Sequence, residues 1–363
     1  MYSANFTISH NLLLYVSRIE AAREILSHAP IVPAWEARFR DEARVRSVFH
    51  GTHIEGNDLT QEQTERLVRS GVRDVSTANQ LEGVMAPERD IQEVINYRSV
   101  LLWIDQWQQT IGKDVVYSEE ILKILHKLTT NRILPEDQCG QYRRQQVVVR
   151  SVSTGDIAYR PPVAVEVPDL LEEFLVWLNA SESRVLLPIL RAAITHYELV
   201  RIHPFTEGNG RTGRAFATLV LYAEGYDFKR FFSLEQYFDS NVEDYYKAIL
   251  SVQESENNDL TYWLEYFCYG LAVELDRVKQ QVLKLSKDTQ LHAKLGRQIA
   301  LSERQIIIFE LLQKQQQVTS QDFSQALPNV SVDTILRDLK DMIDKGIIEK
   351  SGVTKGVSYS LRE

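Results

Sequence analysis

The sequence has little cysteine and no long apolar run, and each shortage excludes a class of protein. Its 363 residues include two cysteines, Cys139 and Cys268, which form no CxxC pair. Neither a disulfide framework nor a cysteine-rich zinc site is indicated, and we expect a reducing, cytoplasmic setting. The apolar run at residues 12–16 lacks signal-peptide flanks, and no run approaches the roughly 20 residues that span a bilayer.

Glycine and proline are also sparse, with 16 and 10 residues, so a fibrous or disordered chain is excluded. The chain is too long for one core of ordinary size, and we expect two or three packed units. Its net charge of −9 argues against general attraction to nucleic acid. That charge is compatible with a local basic face or a bound polyphosphate.

Apolar residues recur at spacings of three and four over residues 12–26, 121–128 and 187–200, which predicts a mainly α protein. One interruption lies between Gly140 and Pro162. There, residues 146–149 and 157–159 flank a turn-prone segment at 151–156. This pattern predicts a β-hairpin inside a helical domain.

The C-terminal residues predict a small separate unit, after a polar stretch at 287–290 that we interpret as a linker. Ser302, Thr319 and Ser331 each have the character of a helix N-cap, and Gly346 ends the third helix. Two short strands at about 347–350 and 357–361 follow. Three helices and a hairpin in this order are typical of a winged helix-turn-helix.

The segment 203–214, with the sequence HPFTEGNGRTGR, carries the strongest chemical signal. Pro204 disfavours the α conformation at His203, so the preceding helix must end there. The run Gly208, Asn209, Gly210 permits backbone N–H groups to converge on one point. Because helical spacing resumes directly afterwards, these amides lie at a helix N-terminus, which favours a bound anion.

Four side chains of this segment fit phosphate chemistry. Arg211 and Arg214 are three residues apart, so both guanidinium groups can face one phosphate chain. Glu207 is an acid in a basic setting and can hold a Mg²⁺ ion that bridges phosphate oxygens. The neutral imidazole of His203 can take a proton from an incoming hydroxyl.

Two other interpretations of the segment as a nucleotide site are weaker. Gly208, Gly210 and Gly213 satisfy G-x-G-x-x-G, but a dinucleotide-binding fold needs a buried strand upstream, where this sequence predicts a helix. No Walker A run occurs, which disfavours an ordinary P-loop ATPase.

The segment resembles the signature of the Fic family, H-x-F-x-[D/E]-G-N-G-R-x-x-R. The matching positions are His203, Phe205, Glu207, Gly208, Asn209, Gly210, Arg211 and Arg214. Looser similarity covers residues 117–270. The resemblance implies an enzyme that transfers AMP from ATP, with Mg²⁺, to a Ser, Thr or Tyr hydroxyl of a target protein. From the resemblance and the C-terminal pattern together, we expect an N-terminal region at 1–110, a catalytic core at 111–285 and a winged-helix domain at 291–363.

The resemblance also implies residue roles. His203 would be the general base, Glu207 the metal ligand, and Phe205 an inward brace of the loop. The hairpin resembles the family's flap, which pairs with an extended target segment. The expected ATP-binding residues are Gly208, Asn209, Gly210, Arg211, Thr212, Gly213, Arg214 and Tyr246, with Tyr245 a weaker candidate.

A second family feature lies upstream. Members with an N-terminal inhibitory helix carry [S/T]-x-x-x-E-[G/N], and the segment 54–57, IEGN, resembles its end. Glu55 would pair with Arg214 and take the place of the terminal phosphate. Gly51 stands where the family has Ser or Thr, with Thr52 one residue later, so the bracing of the helix is open to question.

Three alternatives stay open. His50 and His53, with Glu55, can form a metal cluster because HxxH puts both rings on one helix face. The same catalytic site can remove AMP, with Glu55 positioning a water, or transfer another nucleotide. The chain can also be a nucleotide-sensing DNA-binding regulator.

The C-terminal unit bears on the last alternative. Residues 291–363 contain ten Lys or Arg and nine Asp or Glu, so nonspecific DNA affinity should be weak. Asp333, Asp338 and Asp341 on the third helix would be repelled by DNA phosphates. We therefore rank protein docking or a homodimer slightly ahead of DNA for this unit.

Overall fold

The computed structural model describes residues 2–29, 31, 33–81, 83–110, 115–150, 155, 157–294, 301–315, 317–328, 330–352 and 357–361. These residues are mainly helical, as predicted. The elements before residue 295 are α1 His10–His28, α2 Pro33–His53, α3 Gln61–Ser70, α4 Val75–Leu81, α5 Glu88–Thr110, α6 Glu119–Thr130, β1 Val149–Arg150, β2 Ile157–Tyr159, α7 Val167–Asn179, α8 Ser181–Arg184, α9 Pro188–Ile202, α10 Asn209–Ala223, α11 Leu234–Ser240, α12 Val242–Glu254 and α13 Thr261–Lys294.

The chain divides into two compact units. One comprises Met1–Pro30 and Glu36–Leu283, and the other comprises Ile31–Trp35 and Lys284–Glu363. Apart from residues 31–35 and 284–285, the predicted N-terminal region and catalytic core thus belong to a single compact unit, and the border between residues 110 and 111 stays a prediction. Within the described part of the chain, no helix combines the length and the apolar character that crossing a membrane requires.

The centre of the first unit is the pair α9 and α10, which pack against each other with α5 and α6 alongside. Both helices are buried over most of their length. The indole of Trp263 on α13 donates to the Ala193 carbonyl of α9 at 2.8 Å. Because α9 is surrounded, the loop that follows it is built on a rigid support.

The predicted hairpin is confirmed. Strands β1 and β2 are antiparallel, with Val149 opposite Tyr159. The predicted turn falls largely on residues 151–154 and 156, which lie outside the described residues. The base of the hairpin is tied to the core, since the Tyr159 hydroxyl donates to the Arg201 carbonyl at 2.9 Å and Arg143 donates to the Pro162 carbonyl.

The second unit contains the predicted helices and strands. Ser302 and Thr319 form capping boxes with Gln305 and Asp322, and Ser331 caps the third helix. Strand β5 lies between β3 and β4 in one antiparallel sheet. The elements are α14 Glu303–Lys314, β3 Val318–Thr319, α15 Ser320–Ala326, α16 Val332–Asp344, β4 Ile348–Ser351 and β5 Ser358–Leu361.

The second unit and the helix that leads into it differ from the sequence prediction in two places. The strand β3 was not predicted, and the winged-helix assignment stays a prediction. The stretch 287–290 was expected to be a linker, but α13 continues through it to Lys294. Residues 285–294 contain neither Gly nor Pro, and polar character alone does not end a helix.

Candidate functional site

The loop between α9 and α10 has the geometry predicted for it. His203 caps α9 in the left-handed conformation, with φ of 51°, and Gly208 caps the start of α10 with φ of 78°. The Asn209 amide closes the loop from inside, accepting from the Phe205 N–H at 2.9 Å and donating to the Phe205 carbonyl at 2.8 Å. The first amides of α10 have no acceptor within the helix and remain available to an anion.

His203 is held as a neutral base. Its Nδ1 lies 3.2 Å from the Val200 carbonyl, which can only accept, so Nδ1 carries the proton and Nε2 keeps a free lone pair. Burial lowers the pKa of His203 to about 4. The Arg143 guanidinium donates to the His203 carbonyl at 2.8 Å and fixes the backbone there.

Arg211 and Arg214 are both buried, at 2% and 3% exposure. Nε and Nη1 of each guanidinium have no hydrogen-bond partner among the described residues. A buried donor without a partner is costly. Two such guanidinium groups beside free helix-N-terminal amides therefore form a site suited to an anion with several oxygens.

Glu55 forms an ion pair with Arg214, one of these two arginines. Its Oε1 lies 2.7 Å from Arg214 Nη2, which also donates to the Gly51 carbonyl at 2.8 Å. Burial by itself would raise the pKa of Glu55, but the guanidinium groups of Arg214 and Arg211 hold it below its ordinary value. A Cβ at Gly210 would lie 2.3 Å from the same oxygen. The carboxylate is thus ionised and directly against the loop.

One face of α5 contacts the motif, and sequence reasoning missed it. Arg89 pairs with Glu207, whose Oε1 is 3.7 Å from Arg211 Nη2. Glu93 Oε1 forms an ion pair with Arg211 Nη1 at 3.2 Å, without the alignment of a hydrogen bond, and its other oxygen accepts from Asn57 at 3.1 Å. The sequence signal that could have indicated them is the spacing of four between Arg89 and Glu93, which puts both charges on one face of a largely buried helix.

His126 on α6 is a second residue that sequence reasoning missed. Its Nδ1 accepts from the Gly140 N–H at 2.8 Å, so Nε2 carries the proton and donates to the Glu207 carbonyl at 3.0 Å. The ring stacks on Phe205 at 3.7 Å between centroids, which confirms that Phe205 packs inward. His126 thereby fixes the backbone just before the anion-binding loop.

Replacing His126 by Phe should keep the stacked ring and remove both hydrogen bonds. Each buried group left unpaired costs about 1–3 kcal/mol, so we expect the free energy of unfolding in urea at pH 7 to fall by that order. A loss below about 0.5 kcal/mol would contradict the assigned hydrogen bonds.

The same variant has a predictable pH dependence. Burial lowers the pKa of His126 to about 4, so its contribution to stability is present above the unfolded pKa of about 6.5 and is lost as the pH falls towards 4. The Phe variant lacks this loss. The stability difference between the two proteins should therefore narrow by about 2 kcal/mol between pH 6.5 and pH 5.

The remaining predicted residues lie around the same loop. Thr212 and Gly213 are buried in the first turns of α10, with Gly213 packed on Val200. Tyr245 is buried, and its hydroxyl is 2.8 Å from His196 Nε2. Tyr246 is half-buried. Burial is the main cause that raises the pKa of the Tyr246 hydroxyl, and the negative charge of Glu55 is the second. The contact of Tyr246 with a nucleotide base stays a prediction.

His50 and His53 share one partner. Their Nδ1 atoms each lie 2.7 Å from a different oxygen of Asp239 on α11. In the described part of the chain, no group of three or more His, Cys, Asp or Glu side chains is arranged to hold a metal ion. The two imidazoles instead tie the C-terminal end of α2 to α11.

Known proteins resemble the part of the chain that carries this site. The Fic/DOC family model matches residues 116–221. The "Protein adenylyltransferase Fic" of Culex quinquefasciatus is 29% identical over 210 residues, 58% of this chain and 38% of that protein. Its Drosophila melanogaster counterpart is 30% identical over 189 residues, 52% of this chain and 34% of that protein. The chain thus spans less than two fifths of the length of these curated relatives.

Solved structures share the fold. A Fic family protein from Desulfovibrio desulfuricans superposes with a TM-score of 0.65 at 24% identity, covering 99% of this chain and 98% of its own. A Fic domain-containing protein from Bacteroides thetaiotaomicron gives 0.59 at 22% identity, covering 77% and 97%. With eight motif positions matched and the loop built as described, residues 116–221 of this chain form a Fic/DOC domain.

Proposed function

We propose that the chain is a protein adenylyltransferase that transfers AMP from ATP to a hydroxyl of a target protein and that Glu55 inhibits it. The observation that carries this proposal is the pair of buried guanidinium groups whose Nε and Nη1 atoms have no hydrogen-bond partner among the described residues, beside an uncharged imidazole. Curated relatives that are 29% and 30% identical over about half of this chain are named protein adenylyltransferases.

The residues suggest the course of the reaction. The α-phosphate would accept from the amides at Gly208, Asn209 and Gly210, and Arg211 and Arg214 would neutralise the outer phosphates. His203 Nε2 would take the proton of the target hydroxyl, whose oxygen attacks the α-phosphorus. The bond from that phosphorus to the β-phosphate oxygen breaks, and pyrophosphate leaves with its charge held by the two arginines.

The residues fit a Mg²⁺ ion, which we expect with the ATP. Mg²⁺ is usually held by one or two carboxylates together with substrate phosphates and water. Glu207 offers one such carboxylate, 32% exposed, and its side chain now pairs with Arg89. When bound, the ion would supply positive charge to the phosphate oxygens, and Arg89 would have to release Glu207.

The hairpin of β1 and β2 is suited to position the target. Two short antiparallel strands anchored at their base can add an extended peptide as a further strand. Arg143 contacts both the hairpin end at Pro162 and the His203 carbonyl. A target segment paired with the hairpin would therefore be held in register with the general base.

The Glu55–Arg214 pair supports the proposed autoinhibition. The carboxylate holds Arg214 Nη2 and lies against Gly210, where phosphate oxygens would bind. ATP must displace it or bind without its productive geometry. The predicted homodimer, the DNA contact and the cytoplasmic setting stay predictions.

The test is to incubate the Glu55→Gly protein with ATP and Mg²⁺ and measure its mass and that of lysate proteins. We expect an added mass of AMP on a Ser, Thr or Tyr, at a rate at least about tenfold above the wild type, the order for loss of one charge-assisted hydrogen bond. The Glu55→Gly, His203→Ala protein is the control. If Glu55→Gly instead lost an ability of the wild type to remove AMP from protein, that result would favour AMP removal. If no protein gained the mass of AMP, the proposal would be refuted.

A further inference from the structure

The contact between Gly51 and Tyr97 bears on how the inhibitory helix is held. Gly51 stands where the related inhibitory motif has a hydroxyl side chain. The neighbouring Thr52 does not take over that role, because its hydroxyl donates back to the Val48 and Phe49 carbonyls of its own helix. Some other group must set the position of α2.

Tyr97 of α5 fills the space at position 51. A Cβ on Gly51 would lie 2.5 Å from Tyr97 Cε1 and 3.1 Å from Cδ1 and Cζ. Tyr97 is fully buried, and its hydroxyl donates to Glu235 Oε1 at 2.8 Å. The ring cannot move aside cheaply, so the backbone of α2 lies directly against it only because residue 51 is glycine.

The same backbone position serves the inhibitory pair. Gly51 and Glu55 are four residues apart, and Arg214 Nη2 bridges the Gly51 carbonyl and the Glu55 carboxylate at 2.8 and 2.7 Å. Moving α2 by about 1 Å, enough to bring the Cβ contact to about 3.5 Å, would break both hydrogen bonds.

We propose that Tyr97 is a positioning residue for the inhibitory carboxylate and that its contact with Gly51 sets the depth at which Glu55 enters the site. This inference rests on the autoinhibition proposed above. It predicts that adding one methyl group to α2, a helix that carries none of the proposed catalytic residues, activates the enzyme. Alanine is a better helix former than glycine, so helix propensity would act in the opposite direction.

The test uses a cycle of Gly51→Ala with two replacements of Tyr97. Gly51→Ala should raise the rate of AMP incorporation about tenfold, the factor for losing one charge-assisted hydrogen bond, and should tighten ATP binding measured by calorimetry. Tyr97→Phe keeps the ring, so Gly51→Ala should activate equally in that background. Tyr97→Leu removes Cε1 and Cζ, so Gly51→Ala should have no effect there.

The outcomes separate this inference from the function. If Gly51→Ala matches the wild type in rate and ATP affinity while Glu55→Gly is activated, only the inference fails. Equal activation by Gly51→Ala in the Tyr97→Leu background would also overturn it. If Gly51→Ala alone cannot be purified folded, the Gly51→Ala, Tyr97→Leu protein must unfold at a temperature equal to or above that of Tyr97→Leu, because alanine favours the helix. A lower temperature refutes the contact. If Glu55→Gly shows no AMP transfer, the proposed function itself fails.

Discussion

Replacing His203 by Ala in the Glu55→Gly protein is expected to lower the rate of AMP transfer about a hundredfold to ten-thousandfold. The imidazole is the one uncharged base among the described residues of the loop, and its Nε2 lone pair is free because Nδ1 donates to Val200. ATP binding measured by calorimetry should change little, because His203 does not hold the phosphates.

The pH dependence of the His203-containing enzyme gives a second measure. Burial lowers the pKa of His203 to about 4, so the neutral form persists as the pH falls from about 8 to about 6. Protonation of His203 should therefore not lower the rate of AMP transfer across that range. A bound polyphosphate favours imidazolium and moves the fall in rate to higher pH.

A loss of ATP affinity in His203→Ala that equalled its loss of rate would contradict the role of His203 as the base.

Replacing Arg214 by Met is expected to weaken ATP binding and to destabilise the protein at once. Removing one partner of a buried ion pair leaves the other uncompensated, which costs about 3 kcal/mol. Losing charge-assisted hydrogen bonds to phosphate should raise the ATP dissociation constant about tenfold to a hundredfold relative to Glu55→Gly.

The double variant Glu55→Leu, Arg214→Met separates the two effects. Removing both charges relieves the unpaired Glu55, so the free energy of unfolding should recover most of the loss, as for other buried pairs replaced together. ATP binding should not recover. If affinity returned with stability, Arg214 would be a structural residue and not a phosphate ligand.

The central motif was predictable because its chemistry is local. His203, Glu207, Arg211 and Arg214 lie within twelve consecutive residues, so Pro204 and Gly208 alone determine where one helix ends and the next begins. The Glu55–Arg214 pair was also anticipated, although it joins residues 159 positions apart, because a resemblance pointed to it.

The residues that sequence reasoning missed act across long separations. Arg89 and Glu207 are 118 positions apart, and His126 reaches the Glu207 carbonyl across 81. Nothing in the local pattern of α5 or α6 shows which helix each residue will face, since that depends on tertiary packing. The Gly51–Tyr97 contact is of the same kind, because a glycine inside a helix predicts close approach but not the partner.

The most direct measurement is a crystal structure of the Glu55→Gly protein with Mg²⁺ and an ATP analogue that resists transfer. We predict the outer phosphates within hydrogen-bond distance of Nε or Nη1 of Arg211 and Arg214, the α-phosphate on the amides of residues 208–210, and His203 Nε2 facing the α-phosphorus across the space for a hydroxyl. A nucleotide bound elsewhere, with Nε and Nη1 of both arginines still without a hydrogen-bond partner, would contradict the assignment of this loop as the site of AMP transfer.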